Sequence, residues 1–208
     1  MRLTKYTHAC VRLDNGPRTV VIDPGVWSEG AALEGASAVL ITHEHFDHVD
    51  ADRLAAAQQA NPALKVYAPA AVVQQLEKLG DAVVTVSAGD EFEAGGFPVR
   101  AVGGQHAEIY EGLPGCANVG YVIEGVYHPG DSLFVPDATV TTLLVPTSAP
   151  WLKLAEGIDF IRAVAPQRAY SIHDAMLSPT GEQIIDRWHA MKGNTEYARI
   201  PVGDSVEV

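Results

Sequence analysis

Thr42-His43-Glu44-His45-Phe46-Asp47-His48 places four side chains able to ligate a metal ion within six residues, at the end of the buried-strand pattern Ala38 to Thr42. Loops at strand ends are where sites are commonly built. In extended chain, side chains two apart point the same way, so His43 and His45 can reach one ion together. Asp47 and His48 come as the chain turns toward the next helix and can aim at a neighbouring point. Imidazole and carboxylate without thiolate suit zinc, iron or manganese with open, water-bearing positions. A lone histidine here would read as a surface or backbone-bonded residue. Groups packed this closely repel when protonated and gain little without a cation, which favours the metal.

Working outward, the chain before this loop alternates short β-rich runs with turns: Leu3 to Thr7, Ala9 to Leu13 and Thr19 to Asp23, with Asn15-Gly16-Pro17 between the last two and Pro24-Gly25 closing them. These predict antiparallel strands. After the loop, the Ala- and Gln-rich stretch 51–60 predicts a helix, 64–67 a strand, 69–79 a helix starting at Pro69 and ending at Gly80, and 82–86 a strand. Strands are expected at 91–93, 98–102, 119–124 and 126–128, with a long Gly/Pro-containing loop between Gln105 and Asn118. The last third predicts a strand at 141–145, a helix from near Trp151 to Val164, a strand at 168–172 and a helix at 180–191. Strand-rich stretches flanked by helices in both halves suggest two mixed sheets packed face to face with helices outside.

The 208 residues, 47% of them hydrophobic, suffice for one substantial core, and a single domain over 1–208 is expected. Fourteen Lys and Arg against 26 Asp and Glu leave a formal net charge of −12, a field that repels phosphate polymers and anionic lipid surfaces, so neither nucleic acid nor membrane is expected as a partner. Cys10 and Cys116 lack metal-finger spacing and read as reduced thiols. No apolar run approaches the ~18 residues of a membrane span, which makes a cytoplasmic location the expectation.

The loop His43-Glu44-His45-Phe46-Asp47-His48 resembles the signature of the metallo-β-lactamase superfamily. Val20-Val21-Ile22-Asp23-Pro24-Gly25 looks like the strand and turn ahead of that loop. Gly103-Gly104-Gln105-His106 stands where the family has its third histidine. His128-Pro129-Gly130-Asp131-Ser132 looks like the turn carrying the bridging aspartate, and Tyr170-Ser171-Ile172-His173 like the strand-terminal last histidine. The resemblance implies an α/β (α+β) four-layer αββα sandwich. It also implies two divalent metal ions per chain, zinc first, with manganese or iron as alternatives. His43, His45 and His106 would bind one ion, Asp47, His48 and His173 the second, and Asp131 would bridge them. Asp47 would also act in catalysis, in a hydrolase of a small ester, lactone, amide or phosphoester. Asp23 and Ser132 are candidates for orienting the ligands, or simple turn-formers.

Finer features point in several directions. Gly-Gln-His-Ala-Glu around His106 departs from the Gly-His-Thr-Pro-Gly of glyoxalase-II-type thioesterases, although Gly130 to Phe134 is similar to that branch. Leu3 to Cys10 with Asn118 to Ile123 looks more like the L-ascorbate-6-phosphate lactonase branch, with Thr7 where glycine is usual. An iron-dependent redox enzyme of the sulfur dioxygenase kind is the alternative from another class. His8 is a candidate substrate or ligand-orienting contact, and Trp151 and Tyr110 are candidates for an apolar wall over the metals. His128 and His189 read as structural. Glu108 and Glu111 read as solvated; lining the cleft, they would disfavour strongly anionic substrates. The partner expected is a small molecule, with a homo-oligomer compatible.

Overall fold

Strand β1 (Arg2–Lys5) pairs antiparallel with β2 (Val11–Asn15), and β2 with β3 (Arg18–Ile22). The second hairpin turns through Gly16, whose φ of 61° explains the glycine there. The computed structural model describes residues 1–113 and 115–208; position 114, inside the predicted loop 105–118, lies outside the described residues. From β3 the sheet continues in parallel through β4 (Ala38–Leu40), β5 (Lys65–Ala68) and β6 (Val83–Thr85). Helix α1 (Ala51–Ala60), capped by the Asp50 carboxylate on the Arg53 N–H, joins β4 to β5, and α2 (Ala70–Gln75) leads from β5 toward β6.

The second sheet repeats the plan. Antiparallel β7 (Glu91–Ala94), β8 (Phe97–Gly103), β9 (Val119–Ile123) and β10 (Val126–His128) pass into parallel β11 (Thr142–Pro146) and β12 (Arg168–Ile172). Helix α3 (Leu154–Val164) joins β11 to β12, and α4 (Pro179–Lys192) leads to β13 (Glu196–Ala198) on the parallel edge. The final strand, β14 (Ser205–Glu207), crosses back to pair with β1 in the first sheet.

Strand alternation distributes the apolar residues between layers. Val20, Ile22 and Leu40 meet Phe97, Tyr121 and Leu144 between the sheets. Val21, Val39 and Val66 face outward onto Leu54 and Val72 of α1 and α2, whereas Leu143 and Val145 face Phe160 and Ile161 of α3. Helix, sheet, sheet, helix is thus the observed order of layers, as the resemblance implies.

Two elements differ from expectation near the site or its scaffold. The helix predicted over 69–79 stops at Gln75 and tightens into a 3-10 segment, Glu77–Ala82, with Gly80 at φ 50°. Leu76, Leu79 and Ala82 all reach the outer core, and the backbone leaves helical geometry at Gly80, between the last two, where a positive φ suits glycine. The helix predicted from near Trp151 starts at Leu154, where Glu156 accepts the Lys153 N–H. Trp151 is thereby left in a loop, free to turn toward the strand ends.

Candidate metal centre

Each site residue lies just past the carboxyl end of a strand: Asp23 after β3, the 43–48 loop after β4, His106 after β8, Asp131 after β10 and His173 after β12. Asp23 organises the start of the loop. Its carboxylate accepts the Thr42 backbone N–H at 2.8 Å and the Thr42 hydroxyl at 2.7 Å, while His48 Nδ1 approaches at 2.7 Å. The second sheet anchors the same point, since Tyr121 donates to the Ile41 carbonyl and Val119 N–H to that of Thr42.

These partners assign the imidazole protons. Thr42 spends its hydroxyl proton on Asp23, so the 2.9 Å contact with His43 Nδ1 requires that nitrogen to donate. His48 Nδ1 donates to Asp23, His106 Nδ1 to the Ala107 carbonyl at 2.5 Å, and His173 Nδ1 to the Ser148 carbonyl at 2.5 Å. Each of the four rings is left with its Nε2 lone pair facing inward. His43 Nε2 meets His45 Nδ1 at 3.1 Å, and Asp131 lies 3.1 Å from His48 Nε2, 3.3 Å from His106 Nε2 and 3.1 Å from His173 Nε2.

Buried lone pairs turned toward one another are costly unless a cation lies between them. His48 Nε2, His106 Nε2, His173 Nε2 and Asp131 Oδ1 are buried without a hydrogen-bond partner. The donor atoms fall into two groups, His43, His45, His106 and Asp131 in one and His8, Asp47, His48 and His173 in the other, each within 4.8 Å. Asp131 reaches toward both. Zinc-type ions fit this donor set, and fixed second nitrogens are how such ligands are normally oriented.

Charge follows the same geometry. Burial would push His48 down, but Asp131 and Asp23 outweigh it and hold the ring well above its ordinary value, so that without a cation its Nε2 carries a proton, which a bound metal ion would displace to leave the lone pair. Burial raises Asp131, and His48, His106 and His173 together bring it well below the carboxylate range. His43, with burial and then the His48 charge against it, lies well below 6.5.

His8 differs from the other rings. The Ala175 N–H donates to His8 Nδ1 at 3.3 Å, so Nε2 carries the proton and donates to Asp47 Oδ2 at 3.1 Å. It sits at φ 68°, and Asp23 and His173 are also left-handed, at 51° and 55°. Such backbone persists where surroundings over-determine it. The His8 carbonyl accepts from both Lys5 Nζ, at 2.7 Å, and the His173 N–H, at 3.1 Å.

The remaining candidates separate clearly. Trp151 donates its indole N–H to Asp131 Oδ2 at 3.1 Å. Tyr110 is 73% exposed and forms no wall. Ser132 accepts the Phe134 N–H and so closes its own turn rather than orienting a ligand. His128, bonded to the Ala9 carbonyl, is structural. Sequence reasoning left Thr42, Asn118 and Lys5 without roles. Asn118 bonds the Pro129 carbonyl and the Asp131 N–H, fixing that turn. Lys5 shares a strand face with core residue Leu3, and that alternation was the available signal for its burial.

Over residues 2–173 the chain matches the family described as Beta-lactamase superfamily domain. It is 40% identical over 191 residues to Protein Rv0786c of Mycobacterium tuberculosis, covering 88% of this chain and 89% of that protein. It is 27% identical over 146 residues to a UPF0173 metal-dependent hydrolase of Thermoplasma volcanium, covering 66% and 63% respectively. Igni18, a metallo hydrolase of the archaeon Ignicoccus hospitalis, shares the fold with a TM-score of 0.77 at 18% identity, covering 99% of this chain and 97% of that one. The family match spans both halves of the sandwich and every strand end described above, and the chain belongs to the metallo-β-lactamase superfamily.

Proposed function

We propose that this protein is a binuclear metal-dependent hydrolase, zinc in the first instance, acting on a small ester, lactone, amide or phosphoester. His43, His45 and His106 hold one ion, Asp47, His48 and His173 the other, and Asp131 is shared. The observation that carries this reading is the set of buried, unpartnered Nε2 and Oδ1 atoms converging around Asp131. When bound, two such ions make hydroxide available near neutral pH and polarise the attacked oxygen. Asp47, held by His8, orients the attacking water and takes its proton. Trp151 steadies Asp131, and Asp23 keeps His48 pointed inward. The lactone option draws on the amino-terminal resemblance around His8, and the relatives named metal-dependent hydrolases support the reaction class. The same donors accept iron; iron content and oxygen consumption of the isolated protein separate that redox alternative from hydrolysis.

The test is Asp131→Asn, which keeps the shape and removes the charge. Metal analysis should fall from two ions per chain toward one, and hydrolysis of any substrate found by screening esters, lactones, thioesters and phosphodiesters should drop by orders of magnitude while the fold persists. Retention of two ions with near-normal turnover refutes the shared-carboxylate assignment.

A further inference from the structure

Beside the ligand loop lies a cavity of about 530 Å³ whose floor is His45 and His106. The His106 side chain is 3% exposed, and its Nε2 has no hydrogen-bond partner. Around the floor stand Glu44, Gln105, Glu108, Ile109, Leu113 and Cys116. Among the described lining residues there is no lysine or arginine, and the wall over 105–113 is loop rather than a helix start. Pockets that take phosphate or carboxylate are built from such cations or from helix N-termini. This one offers two carboxylates and an apolar side instead. Glu44 lines this cavity and is half-buried, and Cys116 Sγ lies 3.9 Å from His45 Nε2.

Resting on the hydrolase reading above, we propose that this cavity takes the arm of an uncharged or amine-bearing ester, amide or lactone, and that Glu44 and Glu108 select against phosphorylated or carboxylated substrates. Hydrolysis puts the water's oxygen on the carbonyl carbon. The bond to the leaving oxygen or nitrogen breaks, its electron pair stays on that atom, and the proton held by Asp47 ends there, so no co-reactant is needed. Both glutamates are partly or fully solvated, which keeps the expected discrimination to about five- to tenfold.

Metal-loaded protein is titrated by calorimetry with hexanohydroxamic acid and its ω-amino and ω-carboxy counterparts, whose common head binds metal ions. The neutral and amino compounds should bind about five- to tenfold more tightly than the carboxy compound, and Glu44→Gln/Glu108→Gln should bring the three to within about twofold. Glu108→Gln alone should close part of the gap. Equal or tighter binding of the carboxy compound, or a gap unchanged in the double variant, overturns the proposal. So does faster hydrolysis of bis-p-nitrophenyl phosphate than of p-nitrophenyl hexanoate, which would leave the hydrolase reading intact. Hydroxamate binding in the expected order without hydrolysis of any ester, amide or lactone would instead sink the hydrolase reading and leave the charge selection standing.

Discussion

His8 lies close enough to His48, His173 and Asp47 to be mistaken for a ligand, and its proton decides otherwise. With Ala175 N–H on Nδ1, the ring presents an N–H to Asp47 rather than a lone pair to an ion. His8→Ala should therefore retain two ions per chain at saturating metal, while the affinity of one ion falls about 10- to 100-fold in competition with a chelator and kcat falls with it. His8→Asn keeps an N–H donor and tolerates the left-handed backbone, so partial recovery is expected. Complete loss of an ion, as expected for His173→Ala, would make His8 a ligand after all. The other rings show how one atom fixes another's chemistry: Thr42, a residue with no ligand role, determines which nitrogen of His43 is free.

At the scale of elements, the ligand loop is held by close backbone packing as well as by hydrogen bonds. A Cβ on Gly25 would lie 1.9 Å from the Asp47 carbonyl oxygen, so the turn after β3 and the loop after β4 touch backbone to backbone. Gly25→Ala must push them apart. The expected cost is about 2 to 3 kcal/mol, visible as a melting temperature lowered by roughly 5–10 °C and as reduced metal uptake; an unperturbed variant would show that the loop has slack. A second element-level device sits between α4 and β13. His189 is buried with its ring 5.0 Å from that of Tyr197, and burial pushes it down to about 4. Unfolding raises it to about 6.5, so the unfolded chain binds the extra proton. The stabilisation is present above pH ~6.5 and is lost as pH falls toward 4, on the order of 3 kcal/mol. Metal-loaded His189→Leu should show a flatter dependence of stability on pH across that window. A parallel dependence would refute the assignment.

Across the whole molecule, the candidate ligands tie two sheets together. The 43–48 loop extends from the first sheet, and His106, Asp131 and His173 extend from the second. Ions held between them would act as cross-links that the unfolded chain lacks. Chelation should lower the melting temperature by roughly 5–10 °C and abolish hydrolysis, with recovery on adding metal back. An unchanged transition would mean that the inter-sheet core, from Leu3 to Ile200, holds the sandwich without help.

Most of the fold was written in local pattern. The turns at Gly16 and Gly25, the buried run before Thr42 and the apolar stretches of β11 and β12 depend on near neighbours and marked their own elements. The short edge strands β13 and β14 were missed because three half-exposed residues carry no period, and their pairing is fixed by distant partners. The sequence by itself determined the strand-end cluster and the donor types, since spacing and side-chain chemistry are local. Only the tertiary structure decided that His8 donates to Asp47, that Trp151 reaches Asp131, that Ser132 serves its own turn and that Glu44 and Glu108 share a cavity with His106. Those facts depend on which atoms from remote segments meet in space, and on the proton each meeting requires, which no spacing along the chain records.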